Sequence, residues 1–584
     1  MTNERNIPIG SPAEVVTSTI LINGEPIPGT IGISSIQLVK SVNHISAASI
    51  IIRDGSAADE DFAISSGEWF VPGNEIEIQL GYSSDEHSLF KGVVVKHGLK
   101  TRRNRSSVLK VECRDKAYQM TLKKKSRYFH ELTDSELCEE LIAAYPLEIG
   151  TIESTDFTHA RLVQVHSSDW DFLLARANAC GKMLFTDDGA VHFKAPDLTS
   201  EPVLSLTYGA NILSFEAELD ARTQWGRVVG ESWDGASQEL LSQEAADNPV
   251  TESGNLSSAD LADLAGLEEQ LFKHAGQLPA EELQSWIDTE WLKSKLSKLR
   301  GQASFHGFSE VKPGDLVELQ GLGDRFNGLV WVSAVRHDVS QGNWTTHLQF
   351  GMEDDWLEKW NNDSQKGFAA NVIPPIQGLQ VGIVSALQDD PEGEFRVQVR
   401  LPLVSADDEG IWSRIATLDA GENRGTFFLP EIGDEVIVGF LNNDPRDAIV
   451  LGMLNSSSKP AAFDASDENP EKGYVSREGL KVVFNDDEKS ITIATPEGKT
   501  MQLSEDSGQV LLEDEHGNSF SMSDSGIEVA SSSDMVFKAN GNIEFEGTNL
   551  ELKSNAQLVL SGAASTELNS SGVLKIEGSL VQIN

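Results

Sequence analysis

The chain is short of cations. Its 584 residues carry 46 Lys and Arg against 91 Asp and Glu, a formal net charge of −45. Such an imbalance argues against nucleic acid as a general partner. It also requires that any self-association bring enough buried apolar contact to offset charge repulsion. Cysteine is scarce: Cys113, Cys138 and Cys180 are far apart, odd in number and without CxxC spacing. No disulfide framework follows, and three reduced, mostly buried thiols made in a cytoplasm are expected. No stretch approaches eighteen continuous apolar residues, so nothing spans a membrane as a helix. The opening MTNERNIPIGSPAEVV lacks a basic-then-apolar leader, so no signal peptide is expected.

Catalytic signatures are missing as well. There is no GxSxG elbow, no HExxH and no metal-spaced Cys/His pair. Gly321-Leu-Gly323 begins a GxGxxG pattern, but position 326 is Phe and both flanks read as strand. Glu139 and Glu140 adjoin Cys138 on an expected helix. Neighbours in sequence point apart there, so they read as a solvated face rather than an acid/base pair. His337-Asp338 and His347 lie on expected strands and read as structural. Asp486-Asp487 and Asp514-Glu515-His516-Gly517 lack the spacing of a calcium loop and read as solvated turns. No catalytic residue, cofactor or metal is assigned.

What is present is mostly β. Residues 15–120 hold short alternating runs broken by Gly, Asn and Ser. Two basic patches, Lys100–Arg105 and Lys123–Arg127, read either as solvated hairpin tips or as contacts to an acidic partner subunit. Helices are expected over 133–145, with Thr133 and Asp134 as caps, and over 169–180, with Trp170, Phe172, Leu173, Leu174 and Ala177 inward. Residues 234–257 read as a polar connector, and 261–275 and 279–299 as helices. Residues 311–350 return to β, 361–375 read as a linker, and 378–455 hold five strands that suit a small closed barrel. The expected organisation is a hub over 1–370 in two β-rich halves with a helical segment near 258–300. A barrel over 371–460 follows, then a linker and rod over 461–584.

The strongest pattern is a ladder of apolar doublets from Leu480 onward. It includes Ile491/Ile493, Met501/Leu503, Phe520/Met522, Phe537 after Met535, Leu550/Leu552, Leu558/Leu560 and Val581/Ile583. Members of a doublet are two apart and share one face of a strand. The doublets recur every ten or so residues at first, then every eight or so. Ordering a residue costs roughly 1–2 kcal/mol, and two inward side chains at roughly 1.5–3 kcal/mol each recover only part of a strand's cost. The ribbon must therefore wind on itself, as a single-chain solenoid, or around other copies.

The barrel block reads Gly382-Ile-Val-Ser385, Phe395-Arg-Val-Gln-Val-Arg-Leu-Pro402, Trp412-Ser-Arg414-Ile-Ala416 and Gly425 through Gly439-Phe440, then Asn443-Asp444-Pro445-Arg446 and Gly452. This resembles the OB-fold barrel of the VgrG family, the spike proteins of contractile, phage-tail-like injection systems. Ser168–Leu174 with Gly181 is similar to that family's first-half helix. Lys312-Pro-Gly314-Asp315, Arg325–Gly328, Val335–His337, Trp344–Thr346 and Gly351 are similar to its second hub β-domain. The resemblance implies a mainly β chain of β-rich hub domains, an OB barrel and an intertwined trimeric β-helix. It implies a structural homotrimer in the baseplate that joins a sixfold inner tube to a threefold needle breaching the target envelope, with transient membrane contact. Baseplate subunits would be partners, and nucleic acid would not. The protein would be made in the cytoplasm and become extracellular with its particle. Related spikes carry His-x-His metal sites at the apex, whereas this chain ends Leu580-Val581-Gln582-Ile583-Asn584. A blunt end is expected, with Val581, Gln582, Ile583 and Asn584 meeting a PAAR-repeat tip protein and no effector domain appended. The alternatives are a peptidoglycan-degrading spike enzyme and a secreted β-solenoid binding module.

Overall fold

The computed structural model describes residues 15–102, 105–246, 252–353 and 372–583. The chain divides into two units, Met1–Asn455 and Ser456–Asn584.

The first unit is built on one thirteen-stranded sheet. Its strands alternate as a half-buried sheet should: in Ala47–Arg53, Ala48, Ile50 and Ile52 turn inward. Strand Ile33–Ser41 is the seam. It pairs antiparallel with Ala47–Arg53 on one side and with Gly328–Ser340 on the other. The two β-rich halves of the hub therefore share a continuous sheet, because backbone edges left open by each are closed by the other.

Helices α1 (Asp134–Ala143) and α2 (Asp169–Ala179) start where the sequence caps them. Thr133 and Glu136 form a capping box, and the Ser168 hydroxyl accepts from the Asp171 amide. Leu137, Leu141, Ile142, Trp170, Phe172, Leu173 and Leu174 lie together in a closed core. All three cysteines agree with the expected reduced state. None is bridged, and burial pushes the Cys113 thiol up to about 12 and raises Cys138 and Cys180 further.

Two expectations fail between 234 and 275. The helix expected over 261–275 is α3 (Ser258–Ala265), stopped by Gly266 at φ +69°. Residues Glu269–His274 then form a strand, parallel to Arg227–Asp234, with Gln270, Phe272 and His274 turned inward. The connector expected over 234–257 contains another strand, Glu239–Glu244, on the other edge of Arg227–Asp234. Its inward positions are Leu241 and Gln243 while Leu240 faces out, so no apolar period marked it. Residues 247–251 of that connector, and most of the linker expected over 361–375, lie outside the described residues. Helix α4 (Ala280–Ser297) packs on this small sheet through Leu283, Trp286 and Ile287.

Strands Gln380–Ala386, Val397–Arg400, Ile411–Ile415, Ala448–Met453 and Glu435–Phe440 close a barrel in that order. Val384, Val397, Val399, Ile411, Val436, Val438 and Val450 fill it. Gly433 stands at φ +87° and turns the chain into the Glu435 strand, as the Pro430–Asp434 sequence requires.

The second unit begins as a seven-stranded antiparallel meander from Glu471 to Ala530, each strand pairing with the next in sequence. The register sets Ile493 opposite Met501, Leu503 opposite Val510 and Leu512 opposite Phe520. Doublets ten residues apart leave room for a five-residue strand and a hairpin turn, so this half pairs within one chain. From Ser531 to Ile583 no strand is formed among the described residues.

Candidate functional site

The far ladder is the described stretch without backbone pairing of its own. Among described residues 531–583 no backbone-to-backbone hydrogen bond forms within the chain. A polar backbone without partners is tolerated only in water or against another chain. Yet this stretch is apolar at regular intervals. Phe537 and Phe545 have ring centroids 6.4 Å apart, edge to face. Eight extended residues would separate them by about 26 Å. The chain therefore turns within each step and returns its apolar doublet to the same side. Those doublets are not covered: Phe545 is 67% exposed and Leu552 62%. Of the four terminal residues expected to meet a tip protein, Val581, Gln582 and Ile583 are exposed, and Asn584 lies outside the described residues.

The meander presents the same chemistry on a finished sheet. Phe484, Ile491, Ile493, Met501, Leu503, Leu512 and Met522 all remain more than a third exposed on one face. Its other face carries Thr492, Gln502, Ser519 and Ser521. On the barrel, Leu403, Leu418 and Phe427 are each exposed in loops. Phe395, just before strand Val397–Arg400, stands at φ +57°, rare for a bulky residue, and is almost fully exposed. Asp390 holds this turn by accepting from the Glu394 and Arg396 amides and the Arg396 guanidinium.

The other candidates scatter. Glu139 and Glu140 are exposed on α1, while Cys138 is buried. His337 is buried, accepts from the Trp344 indole at 3.3 Å, and is pushed down to about 3 by desolvation. Asp338 and His347 face the opposite side of the sheet and pair at 3.2 Å. Gly321 and Gly323, at φ +75° and +78°, sit in a turn between strands Leu316–Gln320 and Gly328–Ser340. Asp514 closes its own turn on the His516 and Asn518 amides. Of the basic patch at 123–127, Lys125 and Arg127 are taken by buried Asp169 at 2.7 and 2.9 Å, an internal role rather than a partner contact. The patch at 100–105 lies in part outside the described residues.

One cluster was not anticipated. Arg176 on α2 reaches both oxygens of Asp134 on α1, at 2.7 and 2.9 Å, and Glu282 on α4 at 3.2 Å. Arg446 on the barrel holds both oxygens of the same Glu282 at 2.8 Å, and Asp444 at 2.7 Å. Burial works to raise Glu282, and the charges of Arg446 and Arg176 overcome it and hold the carboxyl below its ordinary range. Asp444 is likewise held down against burial by Arg446 and His274. The partners are separated by 106 and 164 positions; Asp444 and Arg446 lay inside a quoted motif and Asp134 at an expected cap, but nothing local marked Arg176 or Glu282.

Among the described residues no group of three or more His, Cys, Asp and Glu could hold a metal, and no helix is long and apolar enough to cross a membrane.

Comparison with known proteins places this geometry. Residues 12–341 match the family described as the Alg8 N-terminal domain. Residues 380–454 match the Type VI secretion system/phage-baseplate injector OB domain. The chain is 25% identical over 155 residues to the type VI secretion system spike protein VgrG1c of Pseudomonas aeruginosa, covering 25% of this chain and 21% of that one. It is 30% identical over 105 residues to spike protein VgrG3 of Vibrio cholerae, covering 16% and 10%. It thus spans about a fifth or less of the length of these curated relatives. A chain in the lidded Francisella PdpA–VgrG complex has the same fold: TM-score 0.51, 10% identity, 88% of this chain and 80% of that one. The resemblance to VgrG spikes stands.

Proposed function

The chain belongs to the Alg8 N-terminal domain family, and from that premise we propose that it is the homotrimeric central spike of a contractile injection particle. The observation that carries the reading is the unpaired, regularly apolar stretch 531–583. Three copies wound together supply each backbone edge with a neighbour and bring the doublets to one axis. The exposed apolar face of the meander is covered in the same act, as three sheets close on one another. The result is a shaft without open edges. The hubs sit on the inner tube, the shaft points at the target envelope, and Val581–Asn584 meet a PAAR-repeat tip protein. Baseplate subunits surround the hub. The particle is assembled in the cytoplasm and acts outside the cell.

The role is mechanical. The stretch from 454 to 470, between barrel and meander, is far below the about 50 residues of the smallest ordinary domain, so it does not house a wall-degrading enzyme. Size-exclusion chromatography with light scattering tests the reading. A mass about three times 63.5 kDa is expected, and a stable monomer overturns it.

A further inference from the structure

The hub and the barrel lie in one unit, and their joint is made of charge as much as of oil. On the apolar side, Tyr128 and Val163 of the hub enter the core of the barrel. Beside them lies the cluster around Glu282. This carboxylate, on the first turn of α4, is 3% exposed. One guanidinium comes to it from the hub and another from the barrel. Arg176 also donates to the Val372 carbonyl at 2.8 Å, where the chain enters the barrel. On the barrel side, the Asp444 carboxylate lies 3.6 Å from His274 of the hub, and Asp447 accepts from the Gln277 amide at 3.0 Å. The approach is tight: a Cβ on Gly276 would strike the Asp447 carboxylate.

Asp134, Glu282 and Asp444 face Arg176 and Arg446, and His274 lies 3.6 Å from Asp444. Each member is held by others from a different part of the chain, so none can leave without stranding a buried charge. An apolar contact can slide; a buried guanidinium–carboxylate contact, shut off from water that could replace it, cannot slide without breaking. Each arginine is itself aimed by a fork inside its own domain, Arg176 on Asp134 and Arg446 on Asp444.

We propose that Glu282, gripped by Arg176 from the hub and Arg446 from the barrel, is a force-transmitting pin that makes the two domains move as one body. Its purpose rests on the spike reading, because only a part that is driven forward needs a joint that will not shear.

Hydrogen exchange on the full-length protein tests the pin, with Glu282→Gln removing the charge at constant size. In the parent protein, amides of the barrel strands Val397–Arg400 and Glu435–Phe440 should open in step with those of the hub strands Ile33–Ser41 and Ala47–Arg53. In the variant, barrel amides should exchange about tenfold faster while the hub amides keep their rates. Equal acceleration of both, or of neither, overturns the pin and leaves the cluster an ordinary stabiliser. If Glu282→Gln does not fold, Arg446→Lys keeps the charge but loses the fork on Asp444 that aims it at Glu282, and the same split between barrel and hub is expected. Light scattering on each sample separates the two readings. A split without a trimer overturns the spike and keeps the pin, and a trimer without a split overturns the pin alone.

Discussion

The two units handle hydrophobic residues in opposite ways. The hub–barrel unit hides its own: Trp170, Phe172, Phe193, Val399 and Val436 are shut off from solvent, and even Arg176 is 1% exposed. The C-terminal unit leaves Phe537, Phe545, Leu550 and Leu552 more than half exposed. The difference is geometric. A sheet with helices over it, or a sheet rolled into a barrel, has an inside. A ribbon two apolar residues wide has none until something else faces it. One unit covers its apolar side chains within a single chain, and the other does not. They should therefore answer differently to dilution, to charge and to pH.

The sharpest break is expected in the far ladder. Leu552→Asp combined with Leu560→Asp would place carboxylates at the shared axis, at a cost of about 3 kcal/mol or more per buried charge. The full-length protein should run as a monomer at micromolar concentration, with hub melting unchanged; a surviving trimer would refute the wound shaft. In the other unit, Arg176→Met takes the guanidinium fork from buried Asp134 and leaves Glu282 to Arg446 alone. It should cost about 3–5 kcal/mol, seen as a lower melting temperature for the hub, while the trimer mass persists. Loss of the trimer there would mean that the units are not independent.

Leu503→Ser on the meander should cost less, about 1–2 kcal/mol per chain, because its strand keeps its partners within the chain. Dissociation on dilution should shift modestly, and an effect as large as that of the far-ladder pair would erase the distinction between the two halves. The next test is pH. Burial, helped by the charge of Asp444, raises Asp447 to about 7, against Arg446 and His274. A carboxyl raised on folding stabilises the fold fully below its unfolded value near 4, and that contribution is lost as pH climbs towards 7. Asp447→Asn should therefore stabilise the hub–barrel unit by about 1–2 kcal/mol at pH 8 and by almost nothing at pH 4. A gain that is equal at both pH values would contradict this. The smallest effect belongs to Glu139→Gln with Glu140→Gln, expected within about 0.5 kcal/mol in thermal melts, since both carboxylates are solvated.

Much of this was readable beforehand where the signal was local. Thr133 and Ser168 start their helices because a side-chain oxygen three residues upstream is all a cap needs. The five barrel strands follow from alternating valines and from turns such as Pro430–Asp434. Where tertiary context decided, local reading failed. Glu269–His274 looks helical in isolation, but it is a strand because Arg227–Asp234 offers it an edge. Glu239–Glu244 hid inside polar residues for the same reason. Lys125 and Arg127 looked like a surface patch until Asp169, more than forty positions away, claimed them.

By itself the sequence determined the family motifs, the five-stranded barrel and the doublet ladder, because periods of two and turn residues act over a few positions. It also determined that the ladder must wind on itself or around other copies, since that follows from counting apolar side chains against ordered backbone. Only the tertiary structure decided that the ladder divides at Ala530, that the hub halves share a sheet, and that Glu282 sits between two arginines. Those are matters of which distant groups meet. Spacing along a chain carries no record of a meeting that burial and charge, acting across more than a hundred residues, bring about.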